Sequence, residues 1–329
     1  MKEETQVCVD RGMDVPLILL AGPTAVGKTK ASIGLAKAVD GEIISGDSMQ
    51  IYRGLDIGTA KITTEEMDGI VHHLIDIKDP TDPFSAAEFK ELADAAIADI
   101  TARGKVPILV GGTGFYINTV LYEYHLGEAD TDPEYRKTLF ALEEAEGKEA
   151  LWEKLREVDP KSAEKLHFND VKRVIRALEV FHATGIPASM RQQNVDKKKM
   201  RYDALYFALN LPREVLYDRI NRRVELMVEE GLEAEVRRAL DGGVPEDATS
   251  MISLGYREMI QYIKGEIPLE RAIELIQRNT RHFAKRQLTW FRHDENIHWI
   301  EKEGKRDEEI EEEILKAVAE HYPNMTIQR

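Results

Sequence analysis

The octapeptide Gly22-Pro23-Thr24-Ala25-Val26-Gly27-Lys28-Thr29 fits the pattern Gly-x4-Gly-Lys-Thr and directly follows the apolar residues 15–20. Nothing else in the chain constrains its fold as strongly. A strand that feeds a glycine-rich loop into a helix turns successive backbone N–H groups toward one anion, and the positive end of the helix dipole faces the same point. Lys28 can reach the phosphates, and the Thr29 hydroxyl can hold Mg²⁺. A di- or triphosphate is therefore expected here. The loop alone leaves open whether the phosphate is transferred, hydrolysed or released.

Residues 30–39 read as the helix after this loop, and residues 42–45 as a second strand. Residues 85–103 form a further helix: Ser85 and Glu88 make a capping box, and Phe89, Leu92, Ala96 and Ile100 make an apolar stripe. Gly104 ends it, and residues 106–110 read as a buried strand running into Gly111-Gly112-Thr113-Gly114. This order implies a P-loop α/β fold, a parallel sheet flanked by helices, with its ligand crevice at the carboxyl ends of the strands. The loops at 22–29, 46–48 and 111–114 should meet at that edge.

From residue 125 to 202 the pattern turns helical, with helix starts at Asp132-Pro133, Asp159-Pro160 and Asn169-Asp170. An all-helical domain is expected there, inserted into a core made of residues 1–124 and 203–329. Residues 202–209 read as a returning strand, and 213–240 as one long helix with Leu216, Ile220, Val224, Val228, Leu232, Val236 and Leu240 as its core stripe. The charged tail beyond Glu301 is expected to be peripheral.

At 329 residues the chain is long enough for two lobes. No apolar run approaches the roughly 20 residues that span a bilayer, and residues 1–14 lack a signal-peptide core. Cys8 is the only cysteine, so no internal disulfide and no cysteine-rich zinc site can form. A cytoplasmic protein follows, monomeric by default. The net charge of −15 argues against a nucleic-acid partner only if it is averaged over the chain. Arg278, Arg281, Lys285, Arg286 and Arg292 lie in a stretch free of acidic residues. Lys172, Arg173 and Arg176 form a second basic cluster, and Arg191, Lys197, Lys198, Lys199 and Arg201 a third. Binding depends on the local field. On a helix, Arg278, Arg281, Lys285 and Thr289 share one face.

Asp47 lies in Ser45-Gly46-Asp47-Ser48-Met49-Gln50, just past the second strand. A carboxylate there would face the phosphate cradle, where it could position Mg²⁺ or accept a proton from a nucleophile. The plainer alternative is a turn aspartate that binds local N–H groups.

Residues 22–29, 47–61, His73-Leu74-Ile75-Asp76 and 109–116 occur here in the order in which one known family carries them. So do residues 169–179, Ser253-Leu254-Gly255-Tyr256-Arg257 and Lys285-Arg286-Gln287-Leu288-Thr289-Trp290-Phe291-Arg292. On these segments, which span nearly the whole chain, it resembles the tRNA dimethylallyltransferases (tRNA isopentenyltransferases) of bacterial type. The resemblance implies transfer of a dimethylallyl group from its diphosphate to N6 of adenine 37 in the tRNA anticodon loop. The P-loop would then grip a leaving diphosphate with Mg²⁺. Thr113 and Arg223 would join this cradle, and Asp47 would receive the hydrogen bond of the adenine amine.

By the same resemblance, tRNA contacts fall on Asp47, Ser48, Met49 and Gln50, and on Lys172, Arg173, Val174, Ile175 and Arg176. They continue on Ile252, Ser253, Leu254, Gly255, Tyr256 and Arg257, then on Lys285, Arg286 and Arg292, with Arg136 as a further contact. Eukaryotic members carry a C-terminal zinc finger; this chain has neither its cysteines nor its length, so no zinc is expected. The competing readings are an isopentenyltransferase acting on free adenine nucleotide, a P-loop kinase, and a non-catalytic RNA-binding protein switched by nucleotide.

Overall fold

The computed structural model describes residues 15–124, 132–191 and 199–328. Cys8, Lys197 and Lys198 lie outside them, as does the side chain of Arg191. The chain divides into two compact units, Met1–Tyr122 with Lys197–Arg329, and Glu123–Asp196. Residues 199–202 therefore go with the first unit and not with the inserted one. The Arg201 guanidinium grips Asp94 through two hydrogen bonds of 2.8 and 3.0 Å, and its backbone N–H donates to the Leu121 carbonyl. That pairing also takes Arg201 out of the third basic cluster as an available charge.

The first unit opens with β1 (Pro16–Ala21), α1 (Lys28–Val39), β2 (Gly41–Ser45), the one-turn α2 (Thr64–Met67), β3 (His72–His73), α3 (Ala86–Ala102), β4 (Val106–Gly111) and α4 (Gly114–Leu121). The inserted unit follows with α5 (Pro133–Glu146), α6 (Lys148–Val158), α7 (Pro160–Lys165), α8 (Val171–Thr184) and α9 (Ala188–Arg191). The chain then returns to the first unit through β5 (Asp203–Asn210), α10 (Arg213–Glu229), α11 (Leu232–Asp241), α12 (Tyr256–Ile263), α13 (Leu269–Phe291), β6 (Ile297–Glu301) and α14 (Asp307–His321).

All six strands pair in parallel, in the order β3-β2-β4-β1-β5-β6. β1 is central and has no exposed side to spare, which is why its sequence is continuously apolar instead of alternating. Its neighbours β4 and β5 leave in opposite directions, so the loop after β1 sits at a topological switch point. The three loops do meet there. Gly46 N–H donates to the Val110 carbonyl at 2.7 Å, and a Cβ added to Gly111 would lie 2.5 Å from the Gly46 carbonyl oxygen. One added to Gly112 would lie 3.4 Å from that of Gly22.

Two expectations fail and a third holds only in part. The helix expected over 213–240 is two helices, broken at Gly231, whose φ of 103° lies in the left-handed region. The tail beyond Glu301 is not peripheral. Ile310, Ile314 and Val318 of α14 are buried in the sheet core beside Leu35 and Ile300, and the Tyr322 hydroxyl donates to the Asp203 carbonyl at 2.6 Å. The Ser85 cap is half a box: its hydroxyl accepts from Glu88 N–H, while the Glu88 carboxylate pairs with Lys78.

The break at Gly231 has a purpose. It turns α11 so that Glu235, buried, accepts hydrogen bonds from the N–H groups of Asp56 and Ile57 at 2.8 Å and of Gly58 at 3.0 Å. The Tyr256 hydroxyl completes the set at 2.6 Å. Each buried donor left without an acceptor costs about 1–3 kcal/mol. Glu235→Ala strands three backbone donors, so urea unfolding should register a loss of about 3 kcal/mol or more. A loss below about 1 kcal/mol would mean that this clamp does not hold the 56–58 loop.

In the inserted unit, Leu139, Leu151, Leu155, Val174, Ile175 and Leu178 form a separate helical core. The Asp132 carboxylate caps α5 by accepting from the N–H groups of Glu134 and Tyr135, both at 3.0 Å. This is the Asp-Pro helix start read from the sequence.

Candidate active site

The Lys28 ammonium donates to the Gly22 and Pro23 carbonyls, both at 2.9 Å, and so lies folded over the mouth of its own loop. Burial pushes its pKa down to about 8, Asp47 pulls it back up, and Arg223 pushes it down further. Those two influences put an anion and a second cation within electrostatic reach of the P-loop lysine. Arg223 comes from α10. Burial lowers its pKa too, with only Glu66 opposing, and among the described residues it has no ion-pair partner. A half-buried guanidinium without a carboxylate, beside a desolvated ammonium, is a site that an anion would stabilise.

Asp47 serves both readings at once. Its Oδ1 accepts from Met49 N–H at 2.8 Å and Gln50 N–H at 3.4 Å, which is the turn role. Its Oδ2 accepts no hydrogen bond from the described residues. Burial raises its pKa, opposed by the Met49 N–H, the Lys28 ammonium and the Gln50 N–H. The carboxylate is thus held by one oxygen and open at the other. Gln50 supports the turn, receiving Ser45 Oγ–H at 3.2 Å and donating to the carbonyls of Thr59 and Ala60.

Thr113 is the N-cap residue of α4, yet its hydroxyl makes no capping bond. Thr29, exposed at the start of α1, has a hydroxyl with no hydrogen bond among the described residues. Among the described residues no group of three or more His, Cys, Asp or Glu is placed to hold a metal ion. His72 and His73 instead bind the Ile70 carbonyl and Glu42.

Lys285 and Arg286 on α13, and Arg292 just past its end, are exposed and carry no ion pair among the described residues. Arg281 differs: it donates to the Asn221 side chain at 2.5 Å and lies over the Tyr217 ring. Ile252 is exposed, Ser253 and Leu254 are partly so, and Arg257 is exposed but held by Glu258 at 2.6 Å. Ser48 and Met49 are partly exposed beside Asp47. In the inserted unit, Lys172, Arg173 and Arg176 face solvent from α8, and Arg136 pairs with Glu179 at 2.6 Å.

Four expected contacts are corrected, the first being Gly255, which is buried with its N–H donating to the Glu258 carboxylate at 2.9 Å. Val174 and Ile175 are buried in the inserted unit's core, since they fall on the inner face of α8 while Lys172, Arg173 and Arg176 fall on the outer one. Tyr256 is buried too, its ring against Gly58 and its hydroxyl on Glu235. None of these side chains has surface to offer a partner.

Sequence reasoning missed several residues beside the cradle. Lys302, just past β6, has its ammonium 3.0 Å from where a Gly27 Cβ would stand, with an Arg219 nitrogen at 3.9 Å from the same point. Tyr116 lies near Asp47, stacked on Phe89 at 4.6 Å, with its hydroxyl pushed up to about 12 by burial and by neighbours that include Tyr52 and Asp47. The only prior signal was their position past the ends of parallel strands. No helix among the described residues is long and apolar enough to cross a membrane.

The family described as IPP transferase matches residues 50–294. A tRNA dimethylallyltransferase of Halalkalibacterium halodurans is 50% identical over 289 residues, covering 88% of this chain and 92% of its own. One of Bacillus cytotoxicus is 52% identical over 295 residues, covering 89% and 93%. Among solved structures, the full-length tRNA isopentenylpyrophosphate transferase of Bacillus halodurans aligns at a TM-score of 0.71 and 48% identity, over 95% of this chain and 98% of that one. A eukaryotic dimethylallyltransferase, described as acting on tRNA, aligns at 0.79 and 28% identity, over 95% and 81%. The parallel sheet, its phosphate loop and these likenesses agree: the chain belongs to the IPP transferase family.

Proposed function

We propose that this protein transfers a dimethylallyl group from dimethylallyl diphosphate to N6 of adenine 37 in the tRNA anticodon loop, with release of diphosphate. The observation that carries the reading is Asp47, anchored through Oδ1 and open at Oδ2, beside the Lys28 and Arg223 cations at a phosphate loop. An exocyclic amine is a poor nucleophile because its lone pair is delocalised into the ring. As that pair forms the new N–C bond, the allylic C–O bond breaks and its electrons leave on diphosphate. The N6 proton passes to Asp47 Oδ2, which makes the attack feasible. Lys28, Arg223, the Thr113 hydroxyl and the loop N–H groups receive the charge where it develops.

The residues present fit Mg²⁺, which is commonly held by one or two protein oxygens with substrate phosphates and water completing the shell. Thr29 would hold it, and bound there it would neutralise charge on the leaving diphosphate. The adenine must leave its stack to reach this edge, at a cost of a few kcal/mol. Phosphate contacts by Lys285, Arg286 and Arg292, and by Lys172, Arg173 and Arg176, offset it. Ser48, Met49, Gln50, Ile252, Ser253, Leu254, Arg257 and Arg136 belong to the same RNA-facing reading. So do a cytoplasmic location and a monomeric state.

Relatives named tRNA dimethylallyltransferase support this activity over a kinase or an enzyme of free nucleotides. Incubation with labelled dimethylallyl diphosphate and either unmodified tRNA or AMP tests the choice, with label expected on tRNA alone. Label on AMP alone would reverse it. Each lost phosphate contact lowers the slope of log K against log salt by about 0.7–0.9. Filter binding of tRNA by the Lys285→Ala/Arg286→Ala double variant should therefore show a slope shallower by about 1.5.

A further inference from the structure

Gln287 lies on α13 between the basic residues Lys285, Arg286 and Arg292, yet it points the other way and is buried. Its side-chain oxygen accepts from the Thr24 N–H of the phosphate loop at 3.0 Å. Its side-chain nitrogen donates to the Gly112 carbonyl at 2.9 Å. Thr24 belongs to one wall of the cradle. Gly112 immediately precedes Thr113 in the other. A single amide thus spans the two loops, satisfying one backbone donor and one backbone acceptor that helices and strands leave over.

The fit is tight. A Cβ on Gly112 would lie 2.3 Å from the Gln287 nitrogen, and one turn further along α13 a Cβ on Gly114 would lie 2.2 Å from the Trp290 ring. The loop carrying Thr113 is therefore pressed against α13 by two glycines that keep it within reach. The neighbouring residues on the same helix face, Ala284 and Phe291, are fully buried, so the backbone of α13 at this point is fixed. Carboxylate or hydroxyl side chains could not do this work. Only a primary amide both accepts and donates in one plane at this length.

We propose that Gln287 is a positioning residue that fixes the spacing of the two cradle walls, and with it the aim of the Thr113 hydroxyl and the phosphate-loop N–H groups. The proposal rests on the reading of these loops as the diphosphate site. Gln287 acts through Thr24 and Gly112 and forms no bond to the transferred group. Donors held at a set spacing stabilise developing charge without reorganising during reaction, so a loosened wall weakens binding and slows transfer together.

Calorimetric titration of inorganic diphosphate with Mg²⁺ into the full-length protein tests it. Two lost hydrogen bonds of ordinary strength correspond to about tenfold or more. Gln287→Ala and the near-isosteric Gln287→Met should each weaken diphosphate by that factor and raise KM for dimethylallyl diphosphate similarly, with KM for tRNA little changed. Gln287→Met fills the volume, so its thermal midpoint should stay close to wild type. Gln287→Glu keeps the acceptor but sets an oxygen against the Gly112 carbonyl, and its loss should at least equal that of Gln287→Ala.

A double-mutant cycle separates positioning from bulk stability. Thr113→Ala should weaken diphosphate less in the Gln287→Met background than in wild type, because Thr113 is no longer held. Additive effects would overturn the proposal. So would wild-type diphosphate affinity in Gln287→Met when Lys28→Met has lost its affinity; that outcome leaves the cradle reading standing. Wild-type affinity in Lys28→Met would remove the cradle reading and this proposal with it.

Discussion

Asp47→Ala is expected to slow prenyl transfer in a single turnover by about 10²–10⁴-fold, the range that a positioned general base supplies. Affinity for tRNA should stay near wild type, since the basic side chains that meet phosphate lie elsewhere. Asp47→Asn refines the result. Its amide oxygen can still accept from Met49 N–H at the place Oδ1 now occupies, so the turn survives. The open oxygen, however, becomes an amide with little basicity. An intact fold with a rate as low as that of Asp47→Ala assigns the loss to proton transfer. Asp47→Asn at the wild-type rate would reduce Asp47 to a turn residue.

Lys28→Met should cost about 10²–10³ in kcat, as loss of a single preorganised donor does in other enzymes. It should also remove most affinity for diphosphate. The pH dependence of that affinity follows from the pKa near 8. Below this value Lys28 is charged in the free protein and ready for an anion. Above it the free lysine is neutral, while a bound diphosphate restores the charge, so binding must take up a proton. Affinity for inorganic diphosphate should therefore fall as pH rises through about 8, by up to tenfold per pH unit. Titrations in buffers of different ionisation enthalpy would detect the proton uptake at the higher pH. Lys28→Met should lose this limb, and a profile unchanged by the substitution would place the titrating group elsewhere.

The parts legible in the sequence are those written in local chemistry. Residues 22–29 name their own geometry, and the apolar stretches around them can only be buried parallel strands. The meeting of Gly46, Gly111 and Gly112 follows once those strands are parallel. The parts that were not legible depend on long-range contact. The stripe Val224, Val228, Leu232, Val236 stays in helical phase across Gly231, so periodicity hides a turn that only the backbone reveals. In α14 three apolar residues at four-residue spacing are outnumbered by glutamates, yet Ile310, Ile314 and Val318 close the sheet core.

The same limit applies at the site. Val174, Ile175 and Tyr256 stand beside basic residues in sequence and on the opposite face in space. Gln287 reads as one polar residue in a basic run, and its role exists only because Thr24 and Gly112, far away along the chain, come to its two ends. Lys302 likewise reaches Gly27 from a segment read as peripheral.

The central claim is that one loop grips a departing diphosphate while Asp47 takes a proton from an adenine amine. Mass spectrometry of nuclease-digested tRNA, run alongside measurement of diphosphate released, tests it most directly. With Mg²⁺ and dimethylallyl diphosphate, the wild-type protein should add one prenyl unit to a single anticodon-loop adenosine and release one diphosphate for each, and Asp47→Ala should do both about 10²–10⁴-fold more slowly. Prenylated adenosine formed by Asp47→Ala at the wild-type rate, or diphosphate released without modified tRNA, would contradict the account.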